Sequence, residues 1–372
     1  MSNLPPAPHA PASRGPGFFG CAFALSFFLN VAAAGVFCVG CLGLLTRMSI
    51  PAESAALREE TYAGSATASH KIAIVEIDGV ILESLLGNVH KQIEQAAKDD
   101  NVSAVVLRVN SPGGSLTASD DLHQRIVKLR DGHAGRPAKP LVVSMGGVAA
   151  SGGYYISVPA SKVFAEPTTT TGSIGVYSAF PNVAAMGEKF GFTMNTIKAG
   201  EIKDAASMFR PLEPKERQVL QDMVDEAYVQ FLTVVSQGRK KLTRKKLLER
   251  FPVTPLRPDP RAEKQAPLYS RYRADGGTFS ARQAKELDLV DAVGTLDDAV
   301  TDAAAQAQLT DYRAVRYQKP FSLNSLLGVR APAAPAGGLD AQLRRASLAP
   351  RLWCLAPGYE AAGLLGAGPP AP

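Results

Sequence analysis

An α/β fold with largely parallel strands is the class the sequence predicts, and three observations predict it. Short apolar runs rich in β-branched residues occur at 71–77 (KIAIVEI), 104–109 (AVVLRV) and 141–144 (LVVS). Their starts lie 33 and 37 residues apart, the length of a βα unit, and helical patterns fill the intervals. The 372 residues are 46% hydrophobic and 20% charged, enough to build a sizeable core and too apolar for a chain disordered throughout.

In chain order, residues 1–17 carry Pro5, Pro6, Pro8, Pro11 and Pro16 and predict a disordered leader. Between Arg14 and Arg47 stand 32 uncharged residues rich in Phe, Leu, Val and Ala, whereas about 20 apolar residues span a bilayer. A transmembrane helix at 18–45 follows. The rival is a cleavable signal peptide ending near Ala32-Ala33-Ala34, against which apolar residues continue to Leu45. Arg14 stands against Arg47 and Arg58, so charge leaves the orientation open. Residues 46–70 read as a polar linker and 71–316 as the folded body. Within the body a long helix starts near Pro214, with Leu220, Met223, Ala227, Phe231 and Val234 on one face expected in the core. Residues 242–277, with five prolines, predict an irregular excursion. The tail, 317–372, is Ala/Pro/Gly-rich and expected to be disordered. Its one apolar knot, Leu352-Trp353-Cys354-Leu355, holds the only tryptophan and reads either as a plain terminus or as a tethered pseudo-substrate.

Net charge is +6, and the span Arg239 to Arg250 alone carries seven basic residues and one acid. The rest of the chain is neutral, which argues against a nucleic-acid partner, since that needs a broad basic face. The run reads as a solvated helix face or as a contact with anionic lipid headgroups. Three of the four cysteines (Cys21, Cys38, Cys41) lie in the apolar run and the fourth is Cys354, so neither a metal site nor a disulfide framework is legible. No cofactor is predicted.

Two glycine-rich turns carry the chemical signal. Asn110-Ser111-Pro112-Gly113-Gly114-Ser115 follows the strand at 104–109, and glycines there let backbone N–H groups face an oxyanion, although a plain strand-to-helix turn has the same composition. The strand at 141–144 runs into Gly146-Gly147-Val148-Ala149-Ala150-Ser151-Gly152-Gly153, where small neighbours open the Ser151 hydroxyl to a substrate backbone. A cap or turn serine is the bland alternative. Two such turns after successive strands strengthen the chemical reading. A serine nucleophile needs a base, yet His90 and His123 sit in polar helical stretches that suit solvated surface residues. Lys203, among Ile202, Ala205 and Ala206, is the better candidate, with extended backbone turning Asp204 away. A lysine base near neutrality needs burial that lowers its pKa by roughly three units, about 4 kcal/mol. Lys198 is the rival, and a surface salt bridge is the alternative for both.

These residues resemble the signal peptide peptidase A family of membrane-bound Ser/Lys peptidases, of the S49 type, in its short form. The resemblance runs from about 71 to 305 over NSPGGS at 110–115, GGVAASGGYYIS at 146–157, TGSIGV at 171–176, IKAGEIKDA at 197–205 with FRPL at 209–212, and GGTFSARQAKELDLVDAVGTLDDAV at 276–300. It implies a ClpP/crotonase-like fold, with Ser151 as nucleophile, Lys203 as general base and Ser173 orienting the lysine amine. The N–H groups of Gly114 and Gly152 would form the oxyanion hole, Gly113 being the less suited donor. The resemblance further implies a ring-shaped homo-oligomer in which Ser151 meets a lysine of an adjacent protomer. Two departures stand out: Asp288 where the family has glycine, and the long proline-rich excursion.

The function expected is a membrane-anchored serine endopeptidase degrading cleaved signal peptides, with peptides and membrane lipid as partners. Its place would be the bacterial inner membrane, single-pass, the catalytic domain on the extracytoplasmic side. The alternatives are a membrane quality-control protease of the same fold and a catalytically silent scaffold. The retained serine, lysine and glycine turns speak against silence.

Overall fold

The computed structural model describes residues 26–31, 33–37, 57–253, 269–318 and 352–356. The chain divides into two units, Met1–Ala56 and Leu57–Pro372. In the first, residues 26–31 and 33–37 are helical, and Phe27, Phe28, Leu29, Val36 and Phe37 are exposed. No described helix is long and apolar enough to cross a membrane, and the remainder of the expected span 18–45 lies outside the described residues, as do the leader and most of the tail.

The second unit is built on one mixed sheet. Strands β1 (Arg58–Gly64), β2 (Lys71–Asp78), β3 (Val102–Ser111), β5 (Leu141–Ala150), β6 (Lys162–Ala165), β11 (Ala292–Val293) and β12 (Arg313–Gln318) run in the order β1-β12-β2-β3-β5-β6-β11. From β12 to β11 every neighbouring pair is parallel, and β1 adds antiparallel at the edge. The apolar runs at 71–77 and 104–109 are the central strands β2 and β3, buried along nearly their whole length as parallel strands covered on both faces must be.

Helices cover both faces. On one, α8 (Leu296–Gln306) lays Ala299, Val300, Ala303 and Ala304 against Ile72, Ile74, Ala104 and Val142. On the other, α1 (Gly87–Lys98), α2 (Leu116–Asp131), α3 (Gly152–Ser157) and α5 (Pro214–Gly238) enclose the larger core, including Leu107, Leu122, Ile126, Met145, Tyr155 and Phe231.

Strand β5 is longer than the run 141–144 suggests. Past Gly146 and Gly147 it changes partner, leaving β6 and pairing Val148–Ala150 with β7 (Thr170–Gly172), which in turn pairs with β10 (Thr278–Ser280). Glycine and alanine lack strand propensity, so only the neighbouring strands fix this extension. The extension carries Ser151 beyond the sheet, next to the three-residue β4 (Gly113–Ser115) that follows β3.

Three expectations need correction. The α5 stripe is core only in its second half: Ala227 and Phe231 are buried, whereas Met223 is exposed and Leu220 lines an open cleft with Phe180 and Leu212. Phe231 has α3 beneath it, its ring 5.0 Å from that of Tyr155, and the first turns of α5 have no such floor. The basic run is not one helix face. Arg239 follows α5 and is buried, clasping Asp291 at 2.7 and 2.8 Å, and only Arg244–Leu248 (α6) is helical. Burial of Leu242 and Leu247 breaks the run, and Lys246 pairs with Asp288 at 2.7 Å. The excursion, expected to be irregular, holds α6 and a hairpin of β8 (Arg250–Val253) and β9 (Tyr269–Tyr272), with 254–268 outside the described residues.

Asp288, the departure from glycine, has φ of 63°. Aspartate tolerates that left-handed position better than most residues, and here its carboxylate meets Lys246.

Candidate active site

Ser151 stands between β5 and α3 with φ 54° and ψ −115°, a conformation that costs a non-glycine residue on the order of 1–3 kcal/mol. Two bonds hold it there. Its N–H donates to the Gly172 carbonyl at 2.8 Å, and its carbonyl accepts from the Tyr155 N–H at 2.8 Å in the first turn of α3. The residue is fully buried and its Oγ has no hydrogen-bond partner among the described residues. An unsatisfied buried hydroxyl is rare enough to demand a reason.

The glycines beside it are sterically required. A Cβ on Gly152 would lie 2.4 Å from Ser119 Oγ, 3.1 Å from Gly113 Cα and 3.2 Å from Gly114 N; one on Gly114 would lie 2.0 Å from the Ile81 carbonyl oxygen. The two backbones thus touch, and the amide nitrogens of Gly114 and Gly152 sit on neighbouring atoms. Gly113 (φ 99°) spends its N–H on Ser111 Oγ at 3.1 Å, which fits its weaker candidacy as a donor.

Ser173 also has positive φ, 51°, and is buried. Its N–H donates to the Gly277 carbonyl at 2.9 Å and its Oγ to the Gly276 carbonyl at 3.0 Å. It follows Gly172, whose carbonyl holds the Ser151 amide, so one hydrogen bond separates the two serine backbones. Ser173 borders an open cavity with Val176, Tyr177, Tyr228 and Asp275.

Within this one chain, Ser151 Oγ and Lys203 Nζ make no hydrogen bond to each other. Lys203 lies in a series of turns, its N–H on the Gly200 carbonyl at 3.2 Å, and its side chain is exposed where burial was expected. The extended backbone expected there is absent because Gly200 (φ 94°) and the Ala205-to-Ile202 bond curl the segment. Asp204 does turn away from Lys203. It pairs instead with Lys198 and with Arg210 Nε at 3.0 Å, and those two cations hold its carboxyl far below the ordinary range. Arg210 also clasps the buried Glu216 that caps α5. Lys198 is therefore a salt-bridge residue, while Lys203 has no acid partner among the described residues.

Neither histidine bonds Ser151. His90 pairs with Asp121 at 3.1 Å, and His123 packs edge-on against Tyr155 at 5.2 Å, half-buried where a solvated surface was expected because α2 turns it toward α3. Burial lowers the pKa of both, with Arg125 adding to the effect at His90 and Arg130 at His123.

Sequence reading missed the frame of the site. Ile81 bridges Gly114, with its N–H on the Gly113 carbonyl and its carbonyl accepting the Ser115 N–H, both at 2.9 Å. Ser119 packs against Gly152, and Tyr155 donates to Asp120 at 2.7 Å beneath α3. Topology alone brings these together. Strand β13 (Trp353–Leu355), the tail knot, pairs antiparallel with β4. Among the described residues no cluster of His, Cys, Asp or Glu could hold a metal ion.

Residues 133–249 match Peptidase family S49. Protease 4 of Salmonella typhi is 35% identical over 254 residues, 66% of this chain and 36% of that protein, so the chain spans about a third of this relative. A protein of Enterococcus faecium provisionally named signal peptide peptidase SppA is 31% identical over 273 residues, 70% of this chain and 71% of its own length. Among solved structures, a ClpP1 mutant from Listeria monocytogenes aligns over 61% of this chain and 94% of its own with 16% identity and a TM-score of 0.36, a likeness too slight to carry an inference. With 71% of a relative covered at 31% identity, and with the serine and glycine turns in place, the chain belongs to peptidase family S49, a family of serine proteases.

Proposed function

We propose that the protein is a serine endopeptidase in which Ser151 is the nucleophile and Lys203 the general base. The observation that carries this reading is Ser151 itself: strained, buried, unpartnered at Oγ, and set against the Gly114 and Gly152 amides. In the reaction the neutral lysine amine takes the Ser151 proton as Oγ bonds to the scissile carbonyl carbon. The two amides stabilise the oxyanion. Collapse breaks the C–N bond, the lysine ammonium protonates the leaving amine, and water then releases the acyl group by the same relay. The Ser173 hydroxyl oxygen would accept a hydrogen bond from the amine and orient it.

Lys203 would come from an adjacent copy in a ring-shaped homo-oligomer. Support for this lies in the segment leading to it, which exposes Met186, Phe190, Phe192, Met194 and Ile197, more apolar surface than an isolated chain keeps in one stretch. Anchoring in the bacterial inner membrane, with the peptidase body outside the cytoplasm, rests on the uncharged run 15–46. Lipid headgroups would then meet Lys240, Arg244 and Lys245, since Arg239 and Lys246 already hold acids.

The substrates proposed are cleaved signal peptides. Incubating the full-length protein with synthetic signal peptides and with unfolded membrane-protein fragments, then mapping products by mass spectrometry, tests this. Cleavage within signal-peptide apolar cores by the native protein and not by Ser151→Ala is expected; cleavage of the fragments alone would favour quality control, and no cleavage of either would favour a scaffold.

A further inference from the structure

The turn between β9 and β10 binds both hydrogen-bond donors of Ser173: the N–H donates to the Gly277 carbonyl at 2.9 Å and Oγ to the Gly276 carbonyl at 3.0 Å. A hydroxyl has one hydrogen, so the second bond leaves Oγ only lone pairs to offer a further partner. What fixes the two carbonyls is Arg271, on β9. Its Nε and Nη2 meet the Asp275 carboxylate at 2.7 and 2.8 Å, its Nη1 donates to the Thr278 carbonyl at 3.0 Å, and its guanidinium lies over the Phe279 ring, 4.1 Å from the centroid. Asp275 Oδ1 also accepts the Gly277 N–H at 2.9 Å. One guanidinium thus ties both ends of the turn 275–278, and two further bonds brace it. The Gly276 N–H donates to the Ile174 carbonyl at 3.2 Å, and the Tyr228 hydroxyl of α5 donates to the Ala274 carbonyl at 2.6 Å. Gly276 has φ of 80°, and a Cβ on Gly277 would lie 2.2 Å from Arg271 Nη2, so the turn needs both glycines.

We propose that Arg271 and Asp275 are positioning residues for the general base: their clasp sets the Gly276 carbonyl so that the Ser173 hydroxyl meets the lysine amine as an acceptor only. The inference rests on the reading of Ser151, Ser173 and Lys203 given above. A neutral amine has two N–H groups and one lone pair. With one N–H donated to Ser173 Oγ, the lone pair is free to take the Ser151 proton; were Ser173 to donate instead, its hydrogen would occupy that lone pair and block the base. The Gly276 carbonyl therefore decides the polarity of the contact. Ser173, Asp275, Gly276 and Tyr228 line one open cavity, so an amine arriving from another copy meets an acceptor already aimed, with no reorganisation at the moment of proton transfer.

The test is a double-mutant cycle in the full-length protein, with hydrolysis of a quenched apolar peptide measured beside amide hydrogen exchange. Arg271→Lys keeps the positive charge and loses the fork, since one ammonium cannot serve both Asp275 oxygens and the Thr278 carbonyl together. It is expected to lower kcat about tenfold with KM unchanged, and Asp275→Asn to do the same. In a Ser173→Ala background, itself slower than native, Arg271→Lys should change kcat by less than about twofold, because the group it positions is gone. An equal loss in both backgrounds marks a merely structural role and overturns the proposal, as does native kcat in Arg271→Lys. Exchange of the Ser173 N–H should quicken in Arg271→Lys while β2 and β3 stay protected. Unchanged exchange there overturns the proposal whether or not the protein hydrolyses anything. Native kcat in Ser173→Ala, or no hydrolysis by the native protein, overturns the underlying reading and the positioning role with it, a result distinct from equal losses in two active backgrounds.

Discussion

Gly152→Ala places a methyl group at the one point where the two glycine turns touch. The new carbon would stand 2.4 Å from Ser119 Oγ, and 3.1 and 3.2 Å from Gly113 Cα and Gly114 N. The first contact is with a hydroxyl fixed on the Ser115 carbonyl at 2.9 Å; the other two are with backbone and require a shift of a few tenths of an ångström. Such a shift moves the Gly114 and Gly152 amides apart. Losing one oxyanion donor costs about 10²–10³ in kcat, roughly 3–4 kcal/mol, with KM little affected. Overpacking adds about 1–3 kcal/mol of destabilisation. The double variant Ser119→Gly/Gly152→Ala removes the hydroxyl clash and keeps the backbone contacts, so it should regain stability and stay slow. Steady-state kinetics with a quenched apolar peptide, beside chemical unfolding of the same preparations, measures both. Native kcat in Gly152→Ala, or full recovery of kcat in the double variant, would refute the placement of the oxyanion hole between these turns.

Lys203→Ala abolishes hydrolysis and Lys198→Ala does not, because Lys198 is bound to Asp204; mixing and reassembling Ser151→Ala with Lys203→Ala restores part of the activity if the base crosses between copies, and a dead mixture places it within one chain. Asp291→Asn destabilises by about 2–3 kcal/mol in urea unfolding, since it strands the buried Arg239 guanidinium, the lower end reflecting a partly exposed Asp291. Burial alone would raise the Asp291 carboxyl, but Arg239 outweighs it and holds the carboxyl below its ordinary value. The stability it supplies is present above the unfolded value near 3.9 and lost as pH falls through the lower folded value, so Asp291→Asn and native protein should converge only in acid. Asp288→Gly changes stability by less than about 1 kcal/mol, whereas Asp288→Ala loses about 1 kcal/mol more, because alanine pays for the positive φ without the Lys246 pair. Equal unfolding midpoints for the two would contradict the left-handed assignment.

The central strands were legible because parallel strands covered on both faces must be continuous apolar runs, and 71–77 and 104–109 are such runs. The glycine turns were legible because only glycine admits backbone contact as close as that of Gly152 with Gly113. What failed follows from partners distant in sequence. Met223 belongs to the helical stripe but has no floor beneath it, Arg239 reads as part of a solvated run until Asp291, far along the chain, closes on it, and β5 runs on past its glycines because β3 and β7 pair with the stretch beyond them. Ile81 carries no motif at all. It frames the groove through backbone groups, which every residue possesses and no sequence pattern marks.

The most direct test is covalent labelling of the full-length protein by an apolar peptidyl fluorophosphonate, with the modified residue located by tandem mass spectrometry. The account predicts a single adduct on Ser151, lost in Ser151→Ala and strongly slowed in Lys203→Ala. An adduct on another serine, or labelling that persists in Ser151→Ala, would contradict it.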